Sequence, residues 1–182
     1  MKLSTRVAAA AVAASIALAL VACSSGPAAP SSLVETKSPT QLLRNEAANR
    51  LMAGTDEEVA EQADYSAACK SESEDPEGLY RSWRSTLLAT VPSDSAIGVD
   101  QFVGALATSF AEDGWVLKES RGENSADKVS TMTKTGSVAV LKFTSTEDTG
   151  DGATILIESS GPCVLTGGAD SDEVTGLENQ AE

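Results

Sequence analysis

VDQFVGALATSFAEDGWVL, residues 99–117, decides how this chain folds. Phe102, Val103, Leu106 and Phe110 recur at spacings of three and four, which puts them on one stripe of a helix spanning Val99 to Asp113. Gly114 stands where a left-handed residue closes a helix. Trp115-Val116-Leu117 then opens a strand, so the period changes from 3.6 to 2 within a few residues. A helix with one apolar stripe needs a surface to cover, and the strands that follow supply it.

Working outward toward the C-terminus, Arg121 to Asp127 is a polar turn and Val129 to Thr133 is rich in β-branched residues. Lys134-Thr135-Gly136-Ser137 reads as a tight hairpin turn. Val138 to Thr144 has apolar residues on both faces, which predicts a central strand covered on both sides. Glu147 to Gly152 turns the chain, and Ala153 to Ser159 gives a last strand with Ile155 and Ile157 on one face. From Gly167 onward apolar residues are sparse, so residues 167–182 read as a disordered acidic tail.

Toward the N-terminus, Leu79 to Val91 fits a helix face through Leu79, Trp83 and Leu87, or a strand through Trp83, Ser85, Leu87, Ala89 and Val91. Its Ser and Thr content and the closing Pro92 favour the strand. Ser71 to Gly78 is an acidic loop. Thr55 with Glu58 repeats a capping pattern, and Val59, Ala60 and Ala63 suggest a turn or two of helix. Ser38, Pro39 and Gln41 mark the start of an earlier helix through Leu43, Ala47 and Leu51, closed by Gly54. The expected assembly is a two-layer α+β domain over residues 38–166. Its helices pack on an antiparallel meander of about four to five strands.

Residues 1–22 have the form of a secretory signal: Lys2 and Arg6 are basic, Val7 to Val21 is apolar, and Ala22 is small. Leu20-Val21-Ala22-Cys23 resembles the lipobox of bacterial lipoproteins. That resemblance implies cleavage before Cys23, lipidation (palmitate among the chains) of its thiol and amine, and a membrane anchor on the outward face of the cell membrane. Residues 23–37, with the run SSGPAAPSS, read as a flexible linker. The lipobox, the Ser/Pro/Ala spacer, a capped helix and a cysteine pair are together similar to small actinobacterial envelope lipoproteins of unknown function. No functional residues carry over from such a likeness.

An exported chain meets an oxidising environment, and once Cys23 is lipidated only Cys69 and Cys163 remain to pair. A loop of that length would stabilise the fold by roughly 4–5 kcal/mol in the chain-entropy account. The composition, 13 basic against 27 acidic residues and no histidine, gives a formal net charge of −14. That charge makes nucleic acid and anionic lipid headgroups poor partners. The absence of histidine removes Ser-His and Cys-His nucleophile pairs and histidine-based metal sites.

Ser125-Ala126-Asp127-Lys128 matches S-x-x-K, and Lys134-Thr135-Gly136 matches K-T-G, as in penicillin-binding enzymes. Their near contact in sequence, and Ser93-Asp94-Ser95 lying before both, are the wrong order for that chemistry. Glu147 to Asp151 and Asp170 to Glu173 are acidic runs without the spacing of a calcium loop. No cofactor and no metal site is expected.

The leading expectation is a lipid-anchored, non-catalytic binding or protein-interaction module that meets an envelope protein or a wall component. Two alternatives stand beside it. One is a carrier with an apolar ligand in a helix/sheet cavity. The other is an acid-pair hydrolase of envelope glycans, with Glu112, Asp113, Glu119 and Glu158 as its candidate acids.

Overall fold

The computed structural model describes residues 30–52, 59–95, 97–121, 127–146 and 152–180. Its elements are α1 (Leu33–Met52), β1 (Val59–Ala68), β2 (Tyr80–Val91), α2 (Val99–Glu112), β3 (Val116–Arg121), β4 (Asp127–Thr133), β5 (Val140–Thr146), β6 (Ala153–Ser160), β7 (Val164–Leu165) and α3 (Asp172–Glu178). The class is α+β: three helices pack on one antiparallel, open, seven-stranded sheet. Its order is β1-β2-β6-β5-β4-β3, with β7 continuing beside β2 past the end of β6.

Strand alternation divides the sheet into two faces. Trp83, Ser85, Leu87, Ala89 and Val91 of β2 point to the helices, level with Ile155, Ile157 and Ser159 of β6 and with Leu141 and Phe143 of β5. The opposite face carries Tyr65, Arg84, Thr86, Leu88, Leu156, Glu158, Lys142 and Thr144. β5 is central, as its apolar content predicts, but helices cover only one of its sides. Val140, Lys142 and Thr144 on the other side are half-buried.

The helix over 99–112 forms as its spacing requires, burying Phe102, Val103, Leu106 and Phe110. Gly114 has φ +82 and lets the backbone turn so that the Trp115 N–H donates to the Phe110 carbonyl at 3.1 Å. Trp115 thereby meets Phe110 edge-on at 5.6 Å between ring centroids, and Phe143 tilts against Phe110 at 6.1 Å. These aromatics anchor a core of nineteen buried residues between α1, α2 and the sheet.

A second, smaller core holds Leu33, Trp83, Val164, Val174 and Leu177. Buried polar residues lie between the two: Thr36, Thr40, Arg44, Ser85 and Ser159. Arg44 Nη2 lies 3.3 Å from Asp64 Oδ2, and Ser85 Oγ donates to Asp64 Oδ1 at 2.5 Å. Arg44 also donates to the Thr86 carbonyl at 3.2 Å, so this polar belt ties α1 to β1 and β2.

Four sequence expectations need correction. The stretch 23–37 is not all linker, because α1 begins at Leu33. Leu33 is fully buried in the smaller core, its N–H donates to Glu173 Oε1 at 3.1 Å, and these contacts outweigh the hydrogen bond that Pro39 cannot make inside the helix. Residues 59–63 belong to strand β1 rather than a helical turn, paired with β2 from Val59↔Ala89 to Ala63↔Thr86. The stretch 167–182 is not a disordered tail. Ser171 caps α3 by accepting from the Val174 N–H, and Val174 and Leu177, three apart, close the smaller core. With β1 and β7 added, the sheet has seven strands rather than four or five.

Candidate functional site

A groove of about 610 Å³ lies between the outer side of α1, the exit of α2 and the β4–β5 hairpin. Pro39, Leu42, Leu43 and Glu46 form one wall, Asp113 and Trp115 the end, and Lys134 to Ser137 with Ala139 the other wall. Leu42 is 66% exposed, the most exposed large apolar side chain among the described residues. Leu42 and Leu43 are consecutive on a helix, some 100° apart, so only one of them can face the core. Leu43 does so, and Leu42 is left in the groove. Trp115 is nearly buried, so it serves as floor rather than as a stacking platform.

Lys134-Thr135-Gly136, the K-T-G match, is a hairpin turn in which the Ser137 N–H donates to the Lys134 carbonyl at 3.0 Å. Ser125 of the S-x-x-K match lies outside the described residues, and Lys128 pairs with Asp100 on the far side of the hairpin.

Arg50 organises the carboxylates at the groove's edge. It pairs with Glu46 and Asp113, donates to the Ser109 carbonyl at 2.7 Å and lies 4.1 Å over the Phe110 ring. The hydrogen bond from Arg50, and then its charge, hold the Asp113 carboxyl below the usual carboxylate range. A carboxyl depressed in the folded state stabilises fully above its unfolded pKa of about 3.9, and that contribution is lost as pH falls through the folded value. Asp113→Asn is therefore expected to lower stability slightly at neutral pH and to flatten the acid limb of a stability-versus-pH curve by the same amount, which is small because Asp113 is solvent-exposed. Thermal melts between about pH 6 and pH 2 check this, and an acid limb identical to that of the parent chain counts against it.

The candidate hydrolase acids do not converge. Glu112 and Asp113 sit at the exit of α2, on the helix side. Glu158 lies on the open face of the sheet, 3.5 Å from both Arg84 Nη1 and Lys142 Nζ, which balance its charge. The side chain of Glu119 lies outside what the structure describes.

The acidic clusters have local structural uses. Asp75 accepts from the Leu79 and Tyr80 N–H groups at 3.0 and 2.6 Å, starting β2, and the Ser71 hydroxyl holds the Glu74 carboxyl below its ordinary range. Asp172 and Glu173 occupy the first turn of α3, where carboxylates complement the helix dipole. The run Glu147 to Asp151 lies outside the described residues. No group of metal-ligating side chains occurs among the described residues.

Cys69 and Cys163 form a disulfide with 5.8 Å between their Cα atoms. Cys23, its lipobox and the signal-like segment lie outside the described residues. Among the described residues no helix is long and apolar enough to cross a membrane. Trp83 is fully buried with Lys37 Nζ 4.9 Å above its ring, while Tyr65 is exposed on the open sheet face and Tyr80 lies beneath Lys70. Sequence reading missed the groove because its walls are distant in the chain. The adjacent leucines at 42 and 43 were the one local signal. Comparison with protein families, curated proteins and solved structures finds no match for this chain.

Proposed function

We propose that the chain is a bacterial lipoprotein, acylated at Cys23 on the outward face of the cell membrane, whose domain is a non-catalytic binding module. The groove beside Leu42 is where it meets an envelope protein or wall component. The observation that carries the reading is an apolar side chain left in a concave, partly charged site when an adjacent leucine already serves the core. The disulfide suits an exported chain, and α1 starts only ten positions after Cys23, so the spacer can reach at most about 35 Å.

An apolar-ligand carrier would have to use this groove or the smaller cleft of about 200 Å³ lined by Leu51, Ile97, Phe102 and Leu106, since nineteen buried residues fill the space between helices and sheet. Two experiments test the reading. Cys23→Ala should release or stall the chain without unfolding the domain; a processed, mature-size form that stays membrane-bound would count against lipidation. A photo-crosslinking residue at position 42, compared in living cells with one at Leu165, which is also well exposed, should give a discrete product only from position 42. Equal labelling from both positions would reject the groove, and a product of lipid mass would favour the carrier.

A further inference from the structure

The groove beside Leu42 and the smaller cleft of about 200 Å³ share a wall. Glu46 and Asp113 line the groove, Arg50 lines the cleft, and Arg50 pairs with both carboxylates. From α1, Arg50 also donates to the Ser109 carbonyl of α2, so the ion cluster bridges the two helices as a ridge between the two hollows. Leu42, Glu46 and Arg50 are four apart on α1 and form one stripe along it.

The two hollows are built alike. Leu43 and Trp115 are buried in the groove, and Leu42 stands exposed at its side. Leu51, Phe102 and Leu106 are buried in the cleft, and Ile97 stands exposed at its side. Each hollow offers apolar surface that the core does not use. The ridge between them is acidic. Its two carboxylates are about half-exposed and face one guanidinium, which leaves one negative charge. Lys134 stands on the far wall of the groove, and among the described residues it pairs with neither carboxylate. The net charge of −14 adds a long-range pull on cations.

The spacing selects what can fill both hollows. Leu42 and Arg50 are eight positions apart on one helix, about 12 Å along its axis. A chain in strand conformation covers that distance in about four residues, and its residues i, i+2 and i+4 project to the same side. A helix about 10 Å wide cannot sink past the ridge, and the cleft has room for a side chain rather than a helix.

On the reading of the groove as a binding site, we propose that the two hollows and their ridge form one docking site for an extended peptide segment of an envelope protein, with apolar side chains at i and i+4 and a lysine or arginine at i+2. One apolar side chain enters the groove against Leu42, the other enters the cleft against Ile97, and the cation lies over Glu46 and Asp113.

The test selects a random library of phage-displayed nonapeptides on the full chain at low salt. The expected result is enrichment of apolar and basic residues in the order apolar-x-basic-x-apolar. A selected peptide, synthesised and titrated by fluorescence polarisation, should bind Leu42→Asp and Ile97→Asp each roughly tenfold or more weakly than the parent chain. Glu46→Gln with Asp113→Asn should weaken it too and flatten its salt dependence. Tryptophan emission checks that each variant is folded, and Leu42→Ser or Ile97→Ser replaces an aspartate variant that is not. Absence of an enriched pattern overturns the proposal, as does an acidic middle residue or a spacing other than i, i+4. Peptides that Leu42→Asp loses and Ile97→Asp retains also overturn it, while leaving the groove alone as the binding site.

Discussion

Asp64→Ala is expected to destabilise the domain by about 3–5 kcal/mol, the range for removing one partner of a buried ion pair. The side chains of Arg44 and Asp64 are only 6% and 10% exposed, so neither charge can return to water without opening the helix–sheet interface. The cost comes from what remains. Arg44 would keep the Thr86 carbonyl and the Asn45 amide oxygen as partners but would lose its one counter-charge among the described residues. Ser85, fully buried, would lose its acceptor at Asp64 and keep only the Thr40 hydroxyl at 3.2 Å. Replacing both charged residues, as Arg44→Leu with Asp64→Leu, should recover most of the loss, because desolvation of the pair disappears with it. Urea unfolding of Arg44→Leu, Asp64→Leu and the double variant gives the cycle. If Asp64→Ala costs under about 1 kcal/mol, the value typical of exposed pairs, the pair is effectively solvated and the belt is not a structural tie.

Phe110→Ala should cost a similar amount, about 3–5 kcal/mol, by a different mechanism. Phe110 is fully buried where α2 crosses the sheet, with Trp115 edge-on, Phe143 tilted against it and Arg50 over its ring. Truncation removes the transfer free energy of the ring and leaves a cavity that three neighbours on separate elements cannot close together. Leu42→Ala in the groove is the control and should stay within about 0.5 kcal/mol, since no core contact is lost there. Guanidinium midpoints compare the two, and a Phe110→Ala loss no larger than that of Leu42→Ala would place the centre of the core elsewhere.

The sequence was legible where buried faces are apolar. α2 shows four buried apolar residues at helical spacing, and β5 and β6 alternate around Leu141, Phe143, Ile155 and Ile157, so α2 and β6 were read correctly and β5 was read as a strand, two residues early and as covered on both sides rather than one. It was illegible where the buried face is polar. α1 turns Leu33, Thr36 and Thr40 inward over its first two turns, and two of those three give no apolar signal, so its start read as spacer. β1 points Asp64 and Ser66 at the helix layer, which hides a strand inside an alanine-rich segment. α3 has two buried side chains in seven residues, too sparse to register until Trp83 and Leu33 are known to be waiting for them. The groove was hidden for a different reason: its walls and end are assembled from α1, the α2 exit and a hairpin, and only the fold brings them together.

The polar belt also divides what light can report. Each of the two cores contains one tryptophan: Trp83 lies with Leu33, Val174 and Leu177, and Trp115 lies against Phe110. The chain has no other tryptophan. Its intrinsic fluorescence is therefore the sum of two compartments, each with a single emitter. With Trp115→Phe, emission follows the packing of the C-terminal helix and the first turn of α1, and with Trp83→Phe it follows the main helix–sheet interface. Two unlabelled single-tryptophan chains can thus show whether loss of the small compartment precedes unfolding of the large one.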